Sequence, residues 1–213
     1  MAKFSMPCVV LCGGRSARMG RLKQDLIFSD KVTPIAQETL ANFQAKRLLE
    51  LFSHIYFSAK FLIPNAVGAK TILDNNTNIQ ETKNLTNAPK EQFAPIFGLQ
   101  SSLEFLQCDF FALSVDAPFF DRHCVELVLQ SYAENRKPTF ARNSEIHPLL
   151  GVYTLESLRI IQAQIAKGDY KLMRLLEMIN AQFVAINEDK TQNLNTPEDY
   201  QKALAQINSQ LKA

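Results

Sequence analysis

The stretch Leu11-Cys12-Gly13-Gly14-Arg15-Ser16-Ala17-Arg18-Met19-Gly20-Arg21-Leu22-Lys23 decides how this chain is read. It follows a short apolar run, Met6-Pro7-Cys8-Val9-Val10-Leu11, that reads as a buried strand. A strand that empties into two glycines and then a basic loop has the outline of a phosphate cradle. Gly13 and Gly14 carry no Cβ, so a ligand can lie against their backbone N–H groups. Arg15, Arg18, Arg21 and Lys23 add cations with no acid among them. Two common phosphate motifs are excluded. A P-loop ends in Gly-Lys-Ser/Thr, whereas Gly20 is followed by Arg21-Leu22-Lys23. A dinucleotide fingerprint needs G-x-G-x-x-G, a spacing that Gly13-Gly14 lacks. The plain alternative is a turn with solvated arginines.

Outward from this loop, the remaining apolar runs alternate with helical patterns. Ile55–Ala59, Thr71–Asp74, Phe110–Phe119 (an apolar run ending in Asp116-Ala117-Pro118-Phe119), Pro138–Ala141, Ile146–Tyr153 and Phe183–Ile186 read as strands. Residues 34–52, Leu99–Leu106, 121–135, Leu155–Ala166, Tyr170–Ile179 and a segment starting at Pro197 read as helices. Pro34 suits the first turn of the first helix, and Met173 and Met178 suit core filling. Apolar strands alternating with helices imply an α/β, Rossmann-like fold, with a mostly parallel central sheet covered by helices on both faces. Right-handed crossovers then bring the C-terminal ends of the strands to one edge. Gly13-Gly14, Ser58, Asp74 and Asp116 all fall at such ends. Asp116 ends the most apolar strand, and Pro118 keeps it at the lip. A carboxylate there suits Mg²⁺, which takes one or two carboxylates together with substrate phosphates and water.

Composition narrows the class. The chain has 213 residues, 46% hydrophobic and 21% charged, with a formal net charge of +2. That balance suits a soluble globular protein and is too mild for a nucleic-acid platform. No apolar run approaches the roughly 20 residues that span a bilayer, and no leader is evident, so a cytoplasmic protein without membrane contact is expected. Cys8, Cys12, Cys108 and Cys124 form no C-x-x-C pair. Cys8, Cys12 and Cys108 read as small buried hydrophobes, with a reactive thiol at Cys12 as the alternative. With no repeat, linker or low-complexity segment, residues 1–213 are expected to form one domain. The polar stretch 75–93 reads as a long loop.

LCGGRSARMGRLKQDL resembles the signature of the molybdenum cofactor guanylyltransferases, the MobA family, whose pattern runs L-x-G-G-x-S-x-R-M-G-x-D-K-x-x-L. Leu22 stands where the family has aspartate. Ala94-Pro95-Ile96-Phe97-Gly98-Leu99 is similar to the family's G-P-L-x-G-[LMI], with Ala94 for the first glycine. Asp116-Ala117-Pro118-Phe119 is similar to [CG]-D-x-P-[FY], His147–Tyr153 to H-P-L-x-[GA]-[LV]-[YW], and Asn193–Tyr200 to the N-T-P-E ending.

The resemblance implies GMP transfer from GTP to molybdopterin, with Mg²⁺ as cofactor. It makes Lys23, Asp116 and Arg18 the catalytic candidates. Leu11, Cys12, Gly13, Gly14, Lys23, Ser58, Asp74 and Asp116 would bind the nucleotide, with Asp116 on the metal. His147, Lys171, Asn193 and Asn195 would meet the pterin substrate, in a C-terminal half that faces it. Molybdenum-insertion proteins and molybdoenzyme chaperones are the implied protein partners. The residues alone leave two other readings open. One is a related nucleotidyltransferase using CTP or a sugar or alcohol phosphate. The other is a non-catalytic nucleotide or pterin carrier.

Overall fold

The apolar run before Gly13 forms β1 (Cys8–Leu11), buried at every position. The computed structural model describes residues 2–12, 22–28, 38–64, 68–74 and 94–210. The other strands are β2 (Ile55–Ala59), β3 (Lys70–Leu73), β4 (Phe110–Ser114), β5 (Thr139–Arg142), β6 (Ile146–Tyr153) and β7 (Gln182–Ala185). They make one seven-stranded sheet in the order β3-β2-β1-β4-β6-β5-β7. β1 pairs in parallel with β2 and β4, β2 with β3, and β5 with β7. β6 runs antiparallel to β4 and β5. The mostly parallel sheet expected from the apolar strands is therefore present, with β6 as its exception. Only residues 143–145 separate β5 from β6, too few for the crossover that a parallel neighbour needs.

A strand that is apolar throughout needs cover on both sides. The helices are α1 (Leu40–Leu49), α2 (Pro95–Leu106), α3 (Arg122–Asn135), α4 (Ser157–Ala166), α5 (Leu172–Met178) and α6 (Pro197–Gln210). Cys8, Val10, Phe57, Phe111 and Leu113 pack with Leu40, Ala45 and Leu48 of α1, Val125 and Val128 of α3, and Ala203 of α6. On the opposite face, Val9, Leu11, Phe110 and Ala112 meet Ile96, Leu99 and Leu103 of α2, Ile161 of α4, and Leu175 and Leu176 of α5.

Four expectations change. α1 begins at Leu40 because the Thr39 side chain accepts from the Asn42 amide and Thr39 itself is held extended in a bridge to Ile27. Pro34, which lies outside the described residues, is not its first-turn residue. α2 begins at Pro95, four residues before the expected start, since proline at the first helical position gives up no needed hydrogen bond. Met173 and Met178 are exposed, because Leu175, Leu176 and Ile179 already fill the inner face of a helix only seven residues long. Cys108 is only half-buried, and the loop expected at 75–93 lies outside the described residues.

Candidate active site

The C-terminal ends of β1, β2, β3 and β4 share one edge of the sheet, and polar groups gather just past them. Lys23 opens a single 3-10 turn, Lys23–Asp25. The segment holding it is strapped to the start of α1 and the chain leading into it by two backbone bonds, Phe28 N to Glu38 O at 2.7 Å and Leu40 N to Leu26 O at 2.7 Å. The Tyr200 hydroxyl of α6 donates to the Ile27 carbonyl from the other side.

Held there, the Lys23 ammonium donates to Asp116 Oδ2 and, at 2.8 Å, to Asn195 Oδ1. Asp116 sits two residues beyond β4 in a turn closed by Ala117 N to Ser114 O at 3.1 Å. Its Oδ1 accepts from the Ser114 hydroxyl, and its carbonyl accepts from Leu194 N at 2.9 Å. Asn195 precedes α6, where Thr196 Oγ1 accepts from Asp199 N at 3.1 Å and Asp199 Oδ2 accepts from Thr196 N at 2.9 Å. That reciprocal cap fixes the helix start and, with it, the asparagine. Asp116 is 8% exposed. Replacing a buried ion pair by apolar residues is often neutral or stabilising by about 1–4 kcal/mol, so fold stability is a poor reason for this one.

A second corner lies where β2 and β3 end. The Ser58 hydroxyl donates to Asp74 Oδ1 at 2.7 Å. Burial pushes the Asp74 carboxyl up from its usual range; the Ser58 bond and the charge of Lys60 oppose that shift without cancelling it. Gly98, in the first turn of α2, closes this corner. A Cβ on it would stand 2.4 Å from Ser58 Oγ, and 3.3 Å from both Asp74 Oδ1 and Leu11 Cδ2. Leu11 and Cys12 form the floor between the corners. Leu11 O accepts from Val115 N at 3.1 Å, and Cys12 N donates to Ser58 O at 2.9 Å. The Cys12 thiol is buried, and burial together with Asp74, Asp25 and Asp116 pushes it well up. The alternative of a reactive thiol there fails, because a reactive cysteine needs accessible thiolate.

The remaining substrate candidates divide. His147 is half-buried near the start of β6, and its Nε2 has no partner among the described residues. Burial lowers its pKa against the opposing pull of Glu145, which favours a neutral ring. Asn193 Oδ1 is likewise buried without a partner among the described residues, beside Leu194 and its bond to Asp116. Asn143 Nδ2 donates to Thr191 Oγ1 at 2.7 Å, which ties the β5–β6 turn to the segment leading to Asn193. Lys171 stands exposed at the N-cap of α5, on the far side of the sheet from α1. Gly13, Gly14, Arg15, Arg18 and Arg21 lie outside the described residues.

Sequence reading missed Gln44 and Arg47. They lie on α1 among its apolar residues, and a polar side chain buried on an apolar helix face leaves no periodic or motif signal. Gln44 Nε2 donates to Val115 O at 3.1 Å. Arg47 donates to Gln44 Oε1 through Nε at 3.1 Å and Nη2 at 2.6 Å, and to Phe120 O through Nη1 at 2.5 Å.

No group of three or more His, Cys, Asp or Glu side chains among the described residues could cage a metal by itself. The donors at the rim are carboxylate oxygens, the hard ligands that Mg²⁺ takes when substrate phosphates and water complete its shell. Asp116 fits that incomplete kind of site. The described helices include none long and apolar enough to cross a membrane.

The profile described as a MobA-like NTP transferase domain matches residues 8–185. The molybdenum cofactor guanylyltransferase of Campylobacter jejuni subsp. doylei is 29% identical over 203 residues, covering 94% of this chain and 96% of that protein. Among solved structures, molybdopterin-guanine dinucleotide biosynthesis protein A from Archaeoglobus fulgidus superposes with a TM-score of 0.75 at 16% identity, over 96% of this chain and 100% of that one. The 2-C-methyl-D-erythritol 4-phosphate cytidylyltransferase of Thermus thermophilus gives 0.64 at 12% identity, over 97% and 100%. The two superpositions share the fold.

Proposed function

The chain belongs to the MobA-like NTP transferase family, and from that membership we propose that it transfers GMP from GTP to molybdenum-molybdopterin, forming the molybdopterin guanine dinucleotide cofactor. The observation that carries the reading is the meeting of Lys23, Asp116 and Asn195 at the strand-end rim, in a chain whose curated relatives are named molybdenum cofactor guanylyltransferase. In the reaction, a phosphate oxygen of molybdopterin forms a bond to the α-phosphorus of GTP. The bond from that phosphorus to the bridging oxygen breaks, and pyrophosphate leaves with the electron pair. No covalent protein intermediate is required, so the protein's work is positioning and charge stabilisation.

Nucleotidyltransferases of this kind generally use a divalent metal. We assign Mg²⁺, held by Asp116. When bound it supplies charge neutralisation and a template for the phosphates. Lys23, Arg18 and the Gly13 and Gly14 amides hold the triphosphate. Guanine lies over Leu11, Cys12, Ser58 and Asp74. On the other side, His147, Asn193 and Asn195 meet the pterin substrate; His147 Nε2 and Asn193 Oδ1 have no hydrogen-bond partner among the described residues. Lys171 reaches that substrate only at its margin. The chain is read as one domain, nucleotide-binding in its N-terminal half and pterin-facing in its C-terminal half. Its proposed compartment is the cytoplasm, and its proposed partners are molybdenum-insertion proteins upstream and molybdoenzyme chaperones downstream.

Purified protein given Mg²⁺, molybdenum-molybdopterin and either GTP or CTP tests this reading. Pyrophosphate release with GTP is expected. Release with CTP in its place, or GTP binding without any release, overturns it.

A further inference from the structure

Arg47 is a charged side chain in the wrong place for an ordinary surface arginine. Burial depresses its pKa to about 10, and among the described residues no carboxylate lies within ion-pair distance of it. A half-buried guanidinium whose hydrogen-bond acceptors are all neutral oxygens is held for what those bonds fix. All three of those bonds run to acceptors beside one loop. Nη1 holds Phe120 O directly, and Nε and Nη2 both hold Gln44 Oε1. Two donors on that oxygen set the amide orientation, which leaves the Gln44 nitrogen aimed at Val115 O, where it donates at 3.1 Å. Gln44 is fully buried.

Val115 and Phe120 are the two ends of the loop that carries Asp116. We propose that the Gln44–Arg47 pair is a positioning device for the Asp116 carboxylate, gripping both ends of its loop from α1. The same helix, with the residues leading into it, holds the other reacting group. Leu40 N bonds Leu26 O, and Glu38 O, two residues before the helix, accepts from Phe28 N, on the segment that bears Lys23. One rigid element thus sets the separation of ammonium and carboxylate, and Leu194 N pins the middle of the loop from the opposite side. Neither Gln44 nor Arg47 reaches the rim, so both act through Asp116. The inference rests on the proposed role of Asp116 in binding metal and nucleotide.

Two variants test it, Arg47→Lys and the double variant Gln44→Met/Arg47→Met. The first keeps a charge and loses the guanidinium fork; the second replaces the network with apolar side chains of similar length. Mn²⁺ binding in the presence of GTP, followed by the metal's electron spin resonance, is expected to weaken about tenfold, as when an outer partner of a metal ligand is removed. Amide exchange at Val115, Asp116, Ala117 and Phe120 is expected to quicken while that of β1 stays as in the wild type. Unchanged Mn²⁺ binding together with unchanged exchange at the loop overturns the inference. So does exchange that quickens equally across the sheet, which marks a residue that merely stabilises the fold. Should the double variant fail to fold, Arg47→Lys alone decides. If the wild type shows no GTP-dependent Mn²⁺ binding, the functional reading falls, and the exchange measurement, made without ligand, still decides whether the pair grips the loop.

Discussion

Two carboxylates stand past the ends of parallel strands on the same rim, and their surroundings differ. Asp116 meets an ammonium, a hydroxyl and a turn fixed from three directions. Asp74 meets the Ser58 hydroxyl and the glycine face of α2, and burial pushes its carboxyl up. The first is built to meet positive charge. The second is built to be a hydrogen-bonding group in a tight corner. Position at a strand end therefore does not assign a carboxylate's task; its immediate neighbours do.

The sharpest way to break this contrast is to neutralise each acid in turn. Asp116→Asn is expected to lower kcat on the order of 10³-fold, the scale of losing an electrostatic group that acts in the transition state. Lys23→Ala, which removes the charge facing it, is expected to cost on the order of 10²-fold, with circular dichroism unchanged. Steady-state pyrophosphate release reads both. If Asp74→Asn produced the larger loss, the two roles would be reversed.

Asp74→Asn is expected instead to raise the KM for GTP about tenfold with kcat nearly intact, the pattern of lost ground-state binding. It also carries a pH signature. A carboxyl whose folded pKa is raised contributes stability below its unfolded pKa and loses it as pH climbs through the folded value. At neutral pH the ionised Asp74 is therefore a burden. The asparagine variant should melt above the wild type at pH 7, and the gap should close below about pH 4, where the unfolded carboxyl is also protonated. Thermal melts across that range check the sign.

The smallest effect belongs to Gly98→Ala. The new methyl must push the Ser58 hydroxyl off Asp74, at about 1–3 kcal/mol of overpacking. The GTP KM should rise a few-fold, with no change in the metal concentration needed for half-maximal rate.

Much of this arrangement was open to a reader of the sequence, for physical reasons. β2 and β6 have the expected bounds because apolar runs flanked by polar residues end where burial ends. The convergence of Lys23 on Asp116 followed from placing both beyond strands of one parallel set. The direction of β6 was hidden, since a strand covered on both faces shows the same apolar string either way. The exposure of Met173 and Met178 was hidden because α5 is too short for its inner face to be counted from period alone. Gln44 and Arg47 were hidden because, beyond each other, they hold main-chain carbonyls more than 70 positions away, and a carbonyl carries no sequence identity.

The reversed strand has a further consequence. Strands β1 to β4 offer the rim their exits, each followed by chain that must stay put to keep its neighbours aligned. β6 offers its entrance, reached through a tight reversal at 143–145 where Asn143 folds back on Glu145. Reversals of that sort accept insertion and exchange with little harm to what they connect. One wall of the cleft is thus open to remodelling and the other is not. A lineage, or an engineer, could retarget the acceptor by rewriting a few residues at this bend and leave the donor's seat undisturbed.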